Sequence, residues 1–421
     1  MMHEACGKCG RTLLDLRRDA TRDALRGSAP LCSVPACPLV AKTLGFPQEL
    51  RTGLEITGPS PPSVFVGRYG YPNVTLGPLL PQGHEGLSHL GDSPREWSEG
   101  LQIEDILAIR ARLYRSKSPV RVDAAKASHA LDATRGLAMA ERPVETEVTL
   151  AKPVRVRADA QIDLASAPMG PSVDVIDARL LSSPAVPRRV DALVSDVHAD
   201  AATGAQELYD SGISGYHIQR LLSVGLLGEA HRRRIVPTRW SITATDDILG
   251  KQLIEEIKEK PVLDAPVVHS AGLLGNHFMV LLLPRAWSYE MIEAWQDEGR
   301  WMLGRDAEGY RGRTKYVEQV AGAYYAARLS VLEHLRRIQR QAAVFMYREI
   351  TEEYWAPLGV WVIREAVRQA MEGKGLVFED VESAVRHMTR RSRNAEWTRL
   401  ATLPSEARVQ TSLRDFLGDI A

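Results

Sequence analysis

The spacing of apolar positions changes character several times along the chain. A helix with an apolar stripe fits Ile103 to Tyr114, and another fits Tyr216 to Leu227. Alternation in VETEVTL and PVRVRAD, within residues 144–165, predicts strands. Ser63–Val66 reads as a short strand entered from a proline-rich linker over residues 44–62. In RWSITAT, Arg239, Ser241, Thr243 and Thr245 fall at period two, with Trp240, Ile242 and Ala244 between them. That pattern predicts a strand with a polar row on one face and Trp240 buried on the other, then a helix from about Asp246. Val280–Leu283 reads as a buried strand, Lys315–Gln339 as a long amphipathic helix and Ala343–Tyr347 as a further strand. Gly359–Met371 and Val377–Met388 are the last long helical patterns. The predicted class is α+β or mixed α/β, with no internal repeat.

A chain of 421 residues exceeds what one small core uses, so two domains with appendages are expected. The expected boundaries are a zinc module over 1–43, a central α/β domain over 44–265, an α/β to helical C-terminal domain over 266–404, and a tail over 405–421. The formal net charge is zero, so any nucleic-acid contact must rest on local patches. Phe278–Leu283, the longest apolar run, is far too short to cross a bilayer. The opening MMHEACGKCG lacks a basic stretch followed by an apolar one, so a cytoplasmic protein without membrane contact is expected.

All four cysteines lie near the start: Cys6 and Cys9 in a C-x2-C pair, Cys32 and Cys37 in a C-x4-C pair. Each short pair forms a turn presenting two sulfurs to one point, so the quartet can close a tetrahedron around Zn2+. Gly7 and Gly10 suit such a knuckle. Two disulfides are the alternative, disfavoured in a reducing compartment and in a chain with no cysteine after Cys37. With every position filled by protein, the zinc would hold structure and not activate water. Between the pairs, Arg11, Arg17, Arg18, Arg22 and Arg26 mix with Asp15, Asp19 and Asp23, more like a solvated helix face than a phosphate track.

Three stretches concentrate polar residues of the kind that build sites. In VFVGRYGYPNV, glycines beside Arg68 expose backbone N–H groups that suit an anion, and Tyr69 and Tyr71 offer rings to a base or to the core. Arg239, Ser241 and Thr243 form the polar row described above; Asp246 and Asp247 read as helix-start residues. Asn276 and His277 precede the buried strand, and Arg313 lies in the glycine-rich GYRGRTKY loop. Arg68, Tyr69, Arg239, Ser241, Thr243, Asn276, His277 and Arg313 are therefore the candidate phosphate or nucleotide pocket. No P-loop, nucleophile elbow, H-E-x-x-H or dinucleotide fingerprint is present. Hydrolysis would rest on carboxylates or histidines with a second divalent metal. Basic runs stand at His231–Arg234 and at Arg386–Arg399, the latter interleaved with Trp397; each suits either phosphate tracking or a wet helix face.

In the tail, Gln410, Leu413, Phe416 and Leu417 spell Q-x-x-L-x-x-F-L, which resembles the PCNA-interacting peptide. One helical turn offers an aliphatic and an aromatic anchor to an apolar pocket, and the glutamine makes a fixed polar contact. The usual motif ends in two aromatics, and Leu417 departs from it. SVFVGRYGYPNVTLGPL, VPTRWSITATDDILGK, GAYYAARLSVLEHL and EYWAPLGVWVIREAVR together resemble the Nre family of archaeal DNA-repair proteins, and the tail is similar to that of its NreA branch. The resemblance implies zinc at Cys6, Cys9, Cys32 and Cys37, and the PCNA sliding clamp as partner through Gln410, Leu413, Phe416 and Leu417. It also implies a role in the DNA-damage response and a central region remotely like ParB-type nuclease domains, without settled catalytic residues. The leading expectation is a clamp-docked repair factor that contacts DNA, with nuclease action left open. A phosphoesterase or nucleotide-binding enzyme and a non-catalytic clamp adaptor are the alternatives.

Overall fold

Two six-stranded mixed sheets, one in each of two units, carry the helices of an α+β protein. The computed structural model describes every residue except 1–4, 13–14, 17–28, 35–36, 46–48, 52, 82–87, 124–127, 154, 158–160, 298–299 and 410–421. The first unit is Met1–Leu249 with Trp355–Trp361; the second is Gly250–Tyr354 with Val362–Ala421.

In the first unit, β1 (Glu55–Ser60), β2 (Val64–Val66), β3 (Asn73–Pro81), β4 (Leu113–Arg121), β5 (Val144–Leu150) and β6 (Ser172–Leu180) assemble in the spatial order β1-β5-β6-β4-β3-β2. Only β4 and β6 pair in parallel. Helix α1 (His129–Met139) packs on this sheet, and Leu80, Tyr114, Ala130, Ala133, Val148 and Val173 fill the core between them. The Ser128 hydroxyl accepts the Leu131 amide at its N-terminus, satisfying a donor that the helix itself cannot. Helix α2 (Gly215–Ser223) turns Ile218 and Leu221 inward.

Three expectations change here. The supposed linker contains strands: Glu49–Arg51 pairs with Arg155–Arg157, and β1 joins the sheet beside β5. Glycine and proline within EITGPS hide that strand from a pattern search. The helix read as Ile103–Tyr114 ends at Ala111, and Tyr114 belongs to β4. The strand read through Arg239–Thr245 is the opening of helix α3 (Thr238–Lys258). Pro237 precedes its first residue, and the Ser241 hydroxyl donates back to the Thr238 carbonyl. A period-two row then scatters round a helix: Ser241 and Thr245 are buried, whereas Trp240 is 44% exposed.

In the second unit, β7 (Val267–Leu273), β8 (Asn276–Leu283), β9 (Ser288–Asp297), β10 (Arg300–Glu308), β11 (Ala343–Ile350) and β12 (Leu376–Val377) lie in the order β10-β9-β11-β8-β7-β12. Leu274 and Gly275 join β7 to β8 as a two-residue turn with φ of 50° and 77°, a geometry glycine eases. A Cβ on Gly275 would lie 2.4 Å from the Tyr354 amide nitrogen, so the position also serves close packing. One sheet face meets α4 (Gly322–Ile338) through Tyr289, whose ring lies edge-on to Tyr324 at 4.7 Å. The other face carries Leu281, Ile292, Phe345 and Tyr347 against α5 (Val381–Arg391), Trp397 and α6 (Leu403–Val409).

Helix α4 begins seven residues later than its apolar periodicity suggests. The Asp306 carboxylate accepts the amides of Glu318, Gln319 and Val320 at 2.8–3.1 Å, and Val317 donates to the Tyr325 hydroxyl. These bonds hold the preceding segment out of the helix. Of the second basic run, Trp397 is fully buried, stacked on Phe345 and Tyr347 at 5.2 and 5.4 Å, and so is closed to any base.

Candidate metal centre and arginine–aromatic face

The Sγ atoms of Cys6, Cys9 and Cys37 all lie within 4.8 Å of one another, with Cys37 at 3.7 Å from Cys6 and 3.6 Å from Cys9. Four sulfurs held about 2.3 Å from one Zn2+ in a tetrahedron are separated by about 3.8 Å. The trio therefore already has the spacing of three vertices. Cys32 is buried nearby, close enough for its charge to raise the Cys9 pKa, though it falls outside the 4.8 Å group. All four thiols are free, so the disulfide alternative is absent. Local backbone builds the cradle: Gly10 at φ 69° donates to the Cys6 carbonyl, and Cys37 precedes helix Pro38–Thr43.

The sulfurs titrate apart. The amides of Cys9 and Lys8 lower the Cys6 pKa to about 6, whereas burial raises Cys9 and pushes Cys37 up to about 12. A group of thiolates in contact needs a cation to offset their burial and repulsion, and a soft divalent ion fits this donor set. Cysteines at these positions could hold a metal ion. Among the described residues they form the one group of three or more metal-ligating side chains.

The candidate pocket residues divide between the units. Arg68, Tyr69, Arg239, Ser241 and Thr243 belong to the first; Asn276, His277 and Arg313 belong to the second. Asn276 is fully buried, accepting from Arg348 Nε at 3.0 Å and donating to the Leu273 and Leu274 carbonyls. Arg313 pins its own loop, donating to the carbonyls of Ala307, Lys315 and Tyr316. His277 Nε2 is buried without a hydrogen-bond partner among the described residues.

In the first unit the sequence-distant Arg68 and Arg239 are brought near each other by backbone links. The Thr238 hydroxyl accepts the Val66 amide at 2.9 Å, which seats the 67–72 loop beside the start of α3. Val122 donates to the Pro72 carbonyl, and Ile235 donates to that of Val122, tying in the Arg232–Arg234 run. Gly70 at φ 83° closes the loop; a Cβ there would meet the Asn73 carbonyl oxygen at 2.8 Å. Tyr71 and Trp240 pair at 5.2 Å, 59° apart, and the Arg68 guanidinium lies 5.1 Å from the Tyr69 ring centre. Asp163 takes Arg239 at 3.6 Å, and Gln161, two residues earlier, takes Arg115 at 3.0 Å.

Sequence reasoning missed a set of buried carboxylates and the arginines that meet them in the second unit. Arg305 Nε donates to Glu290 at 2.5 Å, Arg328 Nη1 to Glu308 at 2.7 Å, and Arg348 to Glu293. Burial raises the Glu293 pKa against the pull of Arg348. Glu290 also accepts the Thr402 and Leu403 amides, and Glu349 those of Arg393 and Asn394. The one available signal was SYEMIEAWQD, where glutamates interrupt an otherwise apolar pattern.

Two family models match the chain, archaeal Nre, N-terminal, over residues 31–302 and archaeal Nre, C-terminal, over residues 308–416. This α+β chain with its cysteine centre thus belongs to the archaeal Nre family. It is 36% identical over 394 residues to DNA repair protein NreA of Archaeoglobus fulgidus, covering 92% of this chain and 96% of that one. DNA repair protein NreB of the same organism is 36% identical over 389 residues, 90% and 96% of the two chains. DNA repair protein NreA of Haloferax volcanii is 38% identical over 353 residues, 81% and 84%. No solved structure matches. No described helix is long and apolar enough to cross a membrane.

Proposed function

We propose that this protein acts in DNA repair, contacting DNA and docking on the PCNA sliding clamp through Gln410, Leu413, Phe416 and Leu417. The relatives' names support the repair role. The observation that carries the docking reading is the root of the tail. Leu403 and Ala407 of α6 pack on the core, and Glu290 holds the helix start through the Thr402 and Leu403 amides. Gln410 follows this helix directly in the sequence, and the C-terminal family match runs through residue 416. The tail lies outside the described residues. Calorimetric titration of the homologous clamp with the full chain and with a Phe416→Ala variant tests this. Heat with the wild type and none with the variant is the expected result; equal heat from both removes the tail from the reading.

The cysteine centre is read as structural zinc held by Cys6, Cys9, Cys37 and Cys32. Elemental analysis of the purified chain is expected to give one zinc per molecule, lost in Cys37→Ser; a metal-free wild type with an intact fold sinks it. A repair role without cleavage is favoured over nuclease action because Glu290, Glu293, Asp306, Glu308 and Glu349 are each engaged by arginines or amides. The nucleotide-pocket reading is weaker for a similar reason, since Asn276 and Arg313 are committed to the fold.

A further inference from the structure

We propose that Tyr69, Tyr71 and Trp240, edged by Arg68 and Arg239, form a platform for single-stranded nucleic acid. This deepens the DNA contact proposed above and rests on it. Large rings are usually turned inward, yet here Tyr69, Tyr71 and Trp240 are 68%, 54% and 44% exposed. Tyr71 and Trp240 are positioned against each other, and the turn at Gly70 fixes the loop, so little freedom is lost when a base settles on them. Each base of a single strand has an open π-face for such rings, whereas the bases of a duplex are already stacked on one another.

Charge selects the partner. Arg68 has no carboxylate partner among the described residues, and Arg234 donates to the carbonyls of His231 and Arg233. Arg115 lies behind Phe65, its guanidinium 4.9 Å from that ring, and among the described residues bonds to Gln161 and Met169, with no partner there for Nε. The acids nearby are engaged: Asp123 by Arg121 at 2.7 Å and Asp163 by Arg239. Among the described residues, Arg68, Arg121, Arg234 and Arg239 thus stand against Asp123 and Asp163, leaving a local positive surface on a chain of zero net charge. Phosphates complement that surface, and the exposed rings take the bases.

Fluorescence anisotropy with the full chain tests the platform, using labelled oligo-dT, oligo-U and a hairpin duplex of equal length. The wild type is expected to hold one or both single strands more tightly than the duplex; the two arms separate DNA from RNA as the natural strand. Tyr71→Ala/Trp240→Ala is expected to weaken single-strand binding by about tenfold or more. Trp240→Phe keeps most of it, and Arg68→Ala lowers the slope of log affinity against log salt by about 0.7. If the double variant melts early, Arg68→Ala/Tyr69→Ala, changing a half-buried arginine and an exposed tyrosine, replaces it. Equal affinity in wild type and a folded platform variant overturns the platform while leaving DNA contact elsewhere standing. Preference for duplex, or for an acidic peptide over every oligonucleotide, also overturns it. A wild type that binds no nucleic acid removes both the platform and the DNA contact.

Discussion

Arginine plays opposite parts in the core of the second unit and on the Tyr71–Trp240 face of the first. In the second, Arg305, Arg313, Arg328 and Arg348 each meet a carboxylate, and Arg368 meets Glu333 and Glu365 together. On that face Arg68 lies over a tyrosine and Arg234 against carbonyls, whereas elsewhere in the same unit Arg110 and Arg220 flank Asp92 and Arg179 meets Glu147. A buried cation matched by a buried anion is part of the fold and has little left to offer a ligand. A cation at the surface without an acid keeps its field for something that arrives later. The contrast separates scaffold from interface without reference to any motif.

The sharpest way to break that comparison is Arg328→Met. Glu308 would stay behind as a buried carboxylate without its cation, with a loss on the order of 3–5 kcal/mol expected in urea unfolding. Arg328→Met/Glu308→Gln is expected to recover much of it, because the neutral amide leaves no stranded charge. A single variant as stable as wild type would mean the pair does not belong to the scaffold. At the other extreme, Arg68→Ala is expected to change stability by no more than about 0.5 kcal/mol, since its side chain is half-buried and among the described residues meets only Tyr69. A loss comparable to that of Arg328→Met would erase the distinction between the two regions.

The two tryptophans most open to misreading make the same point. Trp397 sits in an arginine-rich run that suits phosphate binding, yet the structure stacks it between Phe345, Tyr347 and the C-terminal helices. Trp240 sits in an alternating pattern that buries it, yet the structure exposes it. Helix and strand place alternate residues differently, so one wrong period reverses the side on which a side chain falls. The same period puts Ser241 in a site, whereas the structure bonds it within α3.

Local chemistry was legible in the amino-acid order. The paired cysteine spacing, the strands at Val64–Val66 and Val144–Leu150, the body of α4 and the family resemblance all depend on residues near one another in the chain. Short-range geometry governs such features, so a linear pattern carries them. Tertiary structure alone decided which charges are matched. Glu290 meets Arg305 from the neighbouring strand and Thr402 from the far end of the chain, and Val66 meets Thr238 across the first unit. Whether a glutamate or an arginine is buried, paired or left facing solvent depends on partners that only the folded chain brings within hydrogen-bond reach.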